Sequence, residues 1–546
     1  MIILSIENGE SFMKKRVLIG IAWPYANNNL HVGHLAALLP GDVLARYSRL
    51  KGYETIMVSG SDMHGTPITE RARKEGVSPA DIAGTYHAEF VDNFEKLCFT
   101  YDLYTNTDTD YHKSTVQDFL RTIDQNGYLY ETTEPQDYCE ECGKFLSDRE
   151  IEGKCPVCGK VTRGDQCEFC MATFDADKMT DKICRICKKP TTTRTNKHLM
   201  FRLSAFQDAL TAFANENGEK WRWNANNETK KYLDQGLPDR AVTRDLDWGV
   251  EVPLPGYDTK RVYVWFEAVL GYLTACKKVC EEKGISFEEF MKKDSGLSAY
   301  YVHGKDNIPF HTVIFPALQL AIDPEMQLPT HIVSSEYVNM NDEKMSKSKG
   351  NLISVHDLAE NYPVDAVRFY TMLYNPEKRD VNFSIPEMIQ TFNKFLCGGF
   401  GNFVNRNLSF LVKKYAGVVP AGKVDADVLA HVTSLYETIG AKMENGELRS
   451  ATEDMVDFIQ YANKYYDEAK PWVAAKEDAA RFGDITATCL FMIANMANLF
   501  APVLPVGTDA LRKTLALPEG KWEVVTLPET FTLGEVSILY TKIDEK

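Results

Sequence analysis

The chain has 546 residues, of which 44% are hydrophobic and 25% charged, and it carries a formal net charge of −16. This length exceeds what one hydrophobic core usually supports and predicts three or four domains, while no apolar run approaches the roughly 18 residues needed to cross a bilayer. The acidic balance argues mildly against nucleic acid as the main partner, because phosphate contacts favour Lys and Arg, although a large protein can carry local basic stripes.

Residues 1–12 are predicted to be an N-terminal extension, because Met13 precedes "KKRVLIG" in the manner of a natural start. Either Met1 or Met13 can be the residue at which translation starts. The opening segment has no basic flank and too short an apolar stretch for a secretory signal. A cytoplasmic protein without a membrane partner is therefore expected.

Residues 13–125 alternate strand-like and helix-like patterns. The apolar run in "RVLIGIAW" suits a strand buried on both faces, and the turn-rich "PYANNNLHVGH" leads into a helical pattern that Pro40 interrupts. A second strand, "YETIMVSGSD", and further helical patterns follow. The alternation predicts a doubly wound, Rossmann-like α/β domain with a parallel sheet, whose ligands bind at the carboxyl ends of the strands.

Residues 126–239 interrupt this pattern and hold eight of the 13 cysteines. They form four Cys-x-x-Cys pairs, Cys139/Cys142, Cys155/Cys158, Cys167/Cys170 and Cys184/Cys187. In a chain without an export signal this density indicates metal rather than disulfides, and the pairs can close one or two tetrahedral structural zinc sites. A redox role is the competing interpretation, but no thioredoxin-like pattern surrounds the pairs.

Strand–helix alternation returns over residues 240–325, so the insertion splits the α/β domain. Residues 326–390 are predicted to be a connecting region that carries a Lys- and Ser-rich loop. After about residue 390 strand patterns nearly vanish, and amphipathic helical patterns predict an all-α helical bundle over residues 391–546.

The first chemical motif is His31-Val32-Gly33-His34, between a predicted strand and a predicted helix. A helix N-terminus offers unpaired N–H groups and a partial positive charge to a phosphate. Gly33 lets a nucleotide approach the backbone, and two imidazoles can donate hydrogen bonds to phosphate oxygens. Taken alone, the motif is equally consistent with two histidines in a surface turn.

The second motif is Lys344-Met345-Ser346-Lys347-Ser348, about 310 residues after His34. Lysine heads on a mobile loop suit the neutralisation of charge on a departing pyrophosphate. A lone cluster of this kind is usually a solvated basic loop, so the motif indicates a function only when it is considered together with the first motif.

Together the two motifs resemble the paired HIGH and KMSKS signatures of class I aminoacyl-tRNA synthetases, with Val32 in place of Ile. The resemblance spans roughly residues 15–513. It implies catalytic roles for His31, Gly33, His34, Lys344 and Lys347. It also implies that ATP, accompanied by Mg²⁺, is bound by His31, His34, Lys344, Ser346, Lys347 and Ser348.

Several segments are similar to the methionine-specific members of that family, namely "AWPYANNNLHVGH", "GSDMHGTPI", "YVWFEAVLGY", "GKDNIPFHTVIFPA" and "DEKMSKSKGN". The similarity implies activation of L-methionine to methionyl-adenylate and transfer to the 2′-hydroxyl of the terminal adenosine of tRNA(Met), including the initiator tRNA. Asp62 is then expected to bind the substrate ammonium group. The implied side-chain pocket consists of Ala22, Trp23, Tyr25, Trp265, Ala268, Tyr272 and His311.

Aromatic rings suit a polarizable thioether, and Tyr or His can donate a weak hydrogen bond to its sulfur. Trp23, Val269 and Asn307 depart from the residues that many family members carry at these positions. The departures concern the shape of the pocket rather than its class.

For the cysteines, the resemblance favours a nested arrangement, with the inner four on one zinc and the outer four on another. Sequential pairing is the alternative.

The resemblance further implies that residues 326–390 contact the tRNA stem and that residues 391–546 bind the anticodon through Asn402, Arg406 and Trp472. Amide and guanidinium groups can bond unstacked base edges, and an indole can stack on a base. A monomer is expected, because members with an added dimerisation domain are longer.

Two rival hypotheses remain at this point. A class I synthetase for another amino acid would share both motifs, but leucyl, isoleucyl and valyl enzymes carry a larger editing insertion, and a cysteinyl enzyme has cysteines beside the first motif. A zinc-ribbon protein that binds nucleic acid and has lost catalysis would not need the two histidines and two lysines, all of which are present.

Overall fold

The structure is a computed structural model that describes residues 15–146, 150–163, 167, 169–170, 178–340, 343–344 and 352–544. The predicted N-terminal extension, residues 1–12, lies outside these ranges. The described residues form a split α/β unit, an insertion with the cysteine pairs, and a helical C-terminal region.

The first half of the α/β unit alternates strands with helices, as the sequence predicts. Its strands are β1 (Arg16–Ile21), β2 (Glu54–Ser61) and β3 (Leu103–Asn106). Its helices are α1 (Val32–Leu50), α2 (Thr66–Glu75), α3 (Pro79–Lys96) and α4 (Asp110–Gln125). A hydrogen bond from the backbone N–H of Asp81 to the side chain of Ser78 fixes the start of α3.

The predicted interruption of α1 at Pro40 is wrong, because the helix continues through that residue. Proline has no N–H group, so the carbonyl of Ala36 loses its helical partner. The buried side chain of Asn375 donates to this carbonyl at 2.9 Å. A donor from a distant segment thus replaces the missing helical bond.

The insertion contains a long antiparallel ribbon and a small sheet. Its strands are β4 (Leu129–Cys139), β5 (Lys144–Phe145), β6 (Ile151–Lys154), β7 (Val161–Arg163), β8 (Thr180–Cys184) and β9 (Thr192–Phe201), and its helices are α5 (Gln207–Asn217) and α6 (Trp223–Asp234). The ribbon pairs β4 with β9, while β6 lies between β7 and β8. The ribbon therefore connects the cysteine-rich sheet to the α/β unit.

The second half of the α/β unit completes the parallel sheet. It contains β10 (Arg240–Ala241), β11 (Thr243–Arg244), β12 (Arg261–Val262), α7 (Val264–Lys283), α8 (Phe287–Met291), β13 (Leu297–Gly304), α9 (Phe315–Ile322) and β14 (His331–Ser335). The five-stranded sheet has the order β14-β13-β1-β2-β3, and its strand pairs are parallel. The Rossmann-like prediction is confirmed, but the sheet continues into β14, past the boundary predicted at residue 325.

The connecting region and the helices follow. The connecting region holds β15 (Val338–Met340), β16 (Glu343–Lys344), α10 (Val355–Asn361), α11 (Val364–Leu373) and β17 (Val381–Asn382). The helical region holds α12 (Ile385–Thr391), α13 (Asn402–Tyr415), α14 (Ala426–Glu444), α15 (Leu448–Ala469), α16 (Pro471–Glu477), α17 (Ala479–Leu499) and α18 (Pro505–Thr514), with a π-helical segment at Phe392–Gly401. Helix α17 is long and apolar enough to cross a membrane, but 89% of its apolar window is buried inside the protein, as in a core helix.

A buried ion pair joins the α/β unit to the helices. Arg368 of α11 donates to Asp42 of α1 at 2.6 Å, and both side chains are 0% exposed. Arg368 also donates to the carbonyls of Leu97, Pro502 and Val503. Both charges therefore have the partners that burial requires.

We expect Arg368→Met to lower the midpoint of urea denaturation, because it leaves the buried Asp42 carboxylate with Arg46 as its one remaining cationic partner among the described residues. Removing one partner of a buried pair costs about 3–5 kcal/mol. The matched control is Lys464→Met, which removes an exposed pair with Glu468 and should leave the midpoint nearly unchanged. Equal midpoints for the two variants would contradict the importance of the buried pair.

Candidate active site

The first motif lies where β1 leads into α1. The Nδ1 atom of His31 accepts the Gly33 N–H at 3.1 Å, and the Nδ1 atom of His34 accepts the His31 N–H at 3.1 Å. This reciprocal cap makes both Nδ1 atoms acceptors, so each neutral ring carries its hydrogen at Nε2. Burial, and then the neighbouring His31, lower the pKa of His34 to about 3. His34 is therefore a neutral N–H donor at pH 7.

Three predicted residues of the second motif, Ser346, Lys347 and Ser348, lie outside the residues that the structure describes. Lys344 lies in β16, where its backbone pairs with Asn339 of β15. The roles of these residues stay predictions.

The chain that follows the second motif is attached to the first. The carbonyl of Ile353 accepts the Val32 N–H at 3.0 Å, and the Val355 N–H donates to the carbonyl of Leu30 at 2.9 Å. These bonds place residues 353–355 against the start of α1. The segment that follows the second motif therefore lies beside the first motif, at one end of the parallel sheet.

The predicted amino-acid pocket is built from the same end of the sheet. Ala22, Trp23 and Tyr25 follow β1, Asp62 follows β2, His311 follows β13, and Trp265, Ala268 and Tyr272 lie along α7. Residues 265, 268 and 272 share one helix face by their spacing. Trp23 and Tyr272 meet edge to face with ring centroids 6.5 Å apart, and Tyr25 forms a β-bridge with Asp62.

Trp23, one of the departures from the family pattern, is accommodated by two glycines. A Cβ atom at Gly60 would lie 2.5 Å from the indole ring, and one at Gly271 would lie 2.7 Å from it. The wide indole fits because both positions lack a side chain. Trp265 is partly exposed and stacks on Phe310 with a centroid distance of 4.5 Å.

The polar groups of Tyr272 and His311 are already engaged with each other. The Nδ1–H of His311 donates to the carbonyl of Asn307 at 2.8 Å, and the Tyr272 hydroxyl donates to His311 Nε2 at 2.8 Å. Burial lowers the pKa of His311 to about 4, so the ring is neutral. The predicted donation from Tyr or His to a thioether sulfur therefore requires one of these bonds to open.

Next to Asp62 lies a buried acid–base cluster that the sequence motifs did not reveal. The two oxygens of Glu267 contact His64 Nδ1 at 2.5 Å and His112 Nε2 at 3.0 Å, and the three side chains are at most 1% exposed. Two signals were available in the sequence: a histidine two residues after Asp62, and an acidic residue inside the apolar run "VWFEAVLGY".

The eight predicted metal ligands form two groups in space. One consists of Cys139, Cys142, Cys184 and Cys187, and the other of Cys155, Cys158, Cys167 and Cys170, with the sulfur atoms of each group within 4.8 Å of one another. The structure therefore has the nested arrangement and not the sequential one.

Both groups suit zinc. Four sulfurs on one tetrahedral zinc lie about 3.8 Å apart for Zn–S bonds of about 2.3 Å. The contacts between different pairs run from 3.3 to 3.9 Å. In three pairs the backbone N–H of the second cysteine donates to the sulfur of the first, as expected of knuckle turns. Saturated thiolate sites of this kind are structural.

In the helical region, two of the three predicted base-reading residues meet at Tyr466. The guanidinium of Arg406 lies 4.4 Å from the Tyr466 ring centroid, and the Trp472 ring lies 5.8 Å from it. Trp472 is 43% exposed. Arg406 also donates to Asp467 at 2.9 Å and to Asn463 at 2.8 Å. The third residue, Asn402, is exposed one turn earlier on α13.

Comparisons with known proteins cover nearly the whole chain. Residues 17–408 match the family described as "tRNA synthetases class I (M)", and residues 417–545 match the "Anticodon binding domain of methionyl tRNA ligase". The methionine–tRNA ligase 1 of Alkaliphilus oremlandii (strain OhILAs) is 43% identical over 530 residues, which are 97% of this chain and 98% of that protein. The methionine–tRNA ligase of Bacillus cereus (strain B4264) is 44% identical over 534 residues, or 97% of each chain.

Among solved structures, the fold is similar to that of Mycobacterium tuberculosis methionyl-tRNA synthetase in complex with methionyl-adenylate. The TM-score is 0.79 at 26% identity, and the match covers 96% of this chain and 99% of that one. The similarity therefore includes both the α/β unit and the helical region.

For the cysteine groups we expect two zinc ions per chain, measured by elemental mass spectrometry on dialysed protein. Cys142→Ala and Cys158→Ala should each lose one ion, because each removes one of four thiolates from a different group. Cys397→Ala, a half-buried cysteine outside both groups, is the control and should retain two. Loss of both ions in either single variant would argue against two separate sites.

Proposed function

Because the chain belongs to the methionyl-tRNA synthetase family of class I aminoacyl-tRNA synthetases, we propose that the site described above carries out both steps of methionine attachment to tRNA. The protein is a methionine–tRNA ligase that activates methionine with ATP and esterifies it to tRNA. The observation that carries this assignment is the similarity that runs continuously through the catalytic and anticodon-binding regions.

In the first step, a methionine carboxylate oxygen attacks the α-phosphorus of Mg²⁺-bound ATP. The bond between the α-phosphorus and the oxygen that bridges it to the β-phosphorus breaks, and pyrophosphate leaves. The Nε2–H groups of His31 and His34 donate to phosphate oxygens at the N-terminus of α1. Lys344 and Lys347, with Ser346 and Ser348, stabilise the charge on the leaving group. Positioning and electrostatics suffice, so no covalent enzyme intermediate is needed. The attachment of residues 353–355 to the first motif supports these roles.

Methionine binds with its ammonium group against Asp62 and its side chain among Ala22, Trp23, Tyr25, Trp265, Ala268, Tyr272 and His311. Aromatic surfaces favour a polarizable thioether. The engaged Tyr272–His311 pair keeps the pocket lining neutral, which supports an apolar substrate side chain.

In the second step, the 2′-hydroxyl of the terminal adenosine attacks the adenylate carbonyl, releases its proton and expels AMP. We propose tRNA(Met), including the initiator, as the acceptor, with the stem against residues 326–390. Asn402, Arg406 and Trp472 are proposed to read the anticodon. Arg406 then exchanges its bonds to Asp467 and Asn463 for base edges.

Zinc, when bound to the two cysteine groups, would crosslink the knuckles of the insertion without entering the reaction. The cytoplasmic location and the monomeric state also remain proposals.

The test of activity is ATP–pyrophosphate exchange with each of the twenty amino acids, measured separately on zinc-loaded protein. We expect exchange with methionine alone. Exchange with a different amino acid would leave the assignment to class I synthetases intact and overturn the pocket assignment.

Lys347→Ala should reduce the rate of pyrophosphate exchange about 100-fold through lost transition-state stabilisation, with the KM for methionine unchanged. An unaffected rate would refute the role of the lysine loop.

For anticodon recognition we expect Trp472→Ala to raise the KM for tRNA by about 10–100-fold, because stacking of one base is worth about 1–3 kcal/mol. Methionine-dependent pyrophosphate exchange should stay at the wild-type rate. Leu429→Ala, an exposed apolar residue of α14, is the control. An unchanged KM for tRNA in the Trp472 variant would remove this residue from the recognition surface.

A further inference from the structure

Asp62 shares the protein interior with a second carboxylate, that of Glu267. Both side chains are buried, and the backbone N–H of His64 donates to Asp62 Oδ1 at 3.2 Å. Two nearby carboxylates in a medium of low polarity repel each other, so one of them tends to bind a proton unless a cation is present. A protonated Asp62 could not pair with a substrate ammonium group.

His64 supplies that cation. Its Nδ1 lies 2.5 Å from Glu267 Oε1, and its Nε2 lies 3.3 Å from Asp108 Oδ1. Ionised carboxylates only accept hydrogen bonds, so both ring nitrogens of His64 must carry hydrogens. The geometry is that of an imidazolium between two carboxylates.

Other groups fix the cluster in place. His112 Nε2 lies 3.0 Å from Glu267 Oε2, and its Nδ1 lies 2.9 Å from the hydroxyl of Thr274. The Trp248 ring meets the His64 ring edge to face at 5.3 Å. The titratable and charged side chains that face the cluster are Tyr25, Asp62, His64, Asp108, His112, Lys113 and Glu267.

Taking the proposed methionine pocket as its premise, we propose that His64 and Glu267 are positioning residues that set the charge facing the substrate ammonium. Lys113 pairs with Asp108, and the His64 imidazolium balances one of the other two carboxylates, Asp62 and Glu267, so a single negative charge remains for one ammonium group. Glu267 keeps His64 charged, and the His64 backbone orients the Asp62 carboxylate. Neither side chain needs to touch the substrate.

The electrostatics of the cluster support this arrangement. Burial lowers the pKa of His64, but the Glu267 carboxylate and the bond to Asp108 outweigh it and bring the pKa to about 9. Burial raises the pKa of Asp62, Glu267 raises it further and His64 lowers it, and on balance the pKa lies well above its ordinary value, so the charge of Asp62 is sensitive to both neighbours. Burial would raise the pKa of Glu267, but His64 and His112 lower it on balance.

These relations predict opposite effects for two isosteric changes. Asp62 must be ionised to bind ammonium, so kcat/KM for methionine falls as the pH drops through the pKa of Asp62. His64→Gln removes the cation and should move this acid limb to higher pH by about 1–3 units. Glu267→Gln removes the repelling carboxylate and should move the limb to lower pH.

The measurement is the pH profile of kcat/KM for methionine in pyrophosphate exchange, with the KM for ATP as an internal reference. We expect KM for methionine to change more than kcat, and the double variant to return towards the wild-type limb. Glu267→Asp, which keeps the charge, should retain the wild-type limb. If Glu267→Gln fails to fold, Glu267→Asp still tests the proposal, because a shifted limb in this variant would show that charge alone does not set the pKa of Asp62.

The matched control is Asp365→Asn. Asp365 is likewise a buried carboxylate, bonded to the Gly507 N–H and the Tyr540 hydroxyl at 2.7 Å, but it lies in α11. This variant should lose stability and keep the wild-type pH profile. The proposal would be overturned if the acid limbs of His64→Gln and Glu267→Gln coincided with that of the wild type, or if both moved in the same direction. Absence of methionine-dependent exchange in the wild-type protein would instead overturn the proposed function.

Discussion

The buried ion pair between Asp42 and Arg368 is the contact on which the relation between the two halves of the molecule depends. Asp42 lies in the middle of α1, the helix whose N-terminus presents His31 and His34, and Arg368 reaches the turn that joins α17 to α18. A charge pair with 0% exposure tolerates little displacement, because separation would leave the Arg368 guanidinium buried without an anion and Asp42 with Arg46 as its remaining cationic partner. Helix α1, which we propose to face ATP, is thereby tied to the helical region that matches the anticodon-binding domain.

A second polar connection follows from Pro40. The proline leaves the carbonyl of Ala36 without its helical donor, and the side-chain amide of Asn375 donates to it instead. The Oδ1 atom of Asn375 in turn accepts from the guanidinium of Arg222, in the insertion, at 3.4 Å. Arg222 also donates to the carbonyl of Gly446, between α14 and α15, at 3.0 Å. Asn375 and Arg222 therefore link α1, the insertion and the helical region, and a residue that would normally break a helix creates the acceptor at which this chain of hydrogen bonds begins.

The two ends of the site use histidine in opposite states. His31 and His34 use Nδ1 to cap a helix, so each keeps an N–H at Nε2, the donor that we propose for the phosphates of ATP at this helix N-terminus. His64 lies between the carboxylates of Glu267 and Asp108 and is charged, and we propose that this charge offsets one of the acids at the end of the site assigned to methionine. The partner of each ring, rather than its residue type, sets its chemistry.

Local patterns along the chain were sufficient to predict the family, the parallel-sheet fold class, the helical region and the ligase activity, because signature motifs and hydrophobic periodicity are local features. The cysteine spacing also indicated metal, while the individual site residues and domain boundaries stay predictions. Only the folded chain shows which cysteines group together, that α1 continues through Pro40, that β14 belongs to the sheet and that a cluster forms around Glu267. These features join residues far apart in the chain: His64 and Glu267, for example, meet only because β2 and α7 pack together. No local pattern encodes which distant partner satisfies a buried polar group.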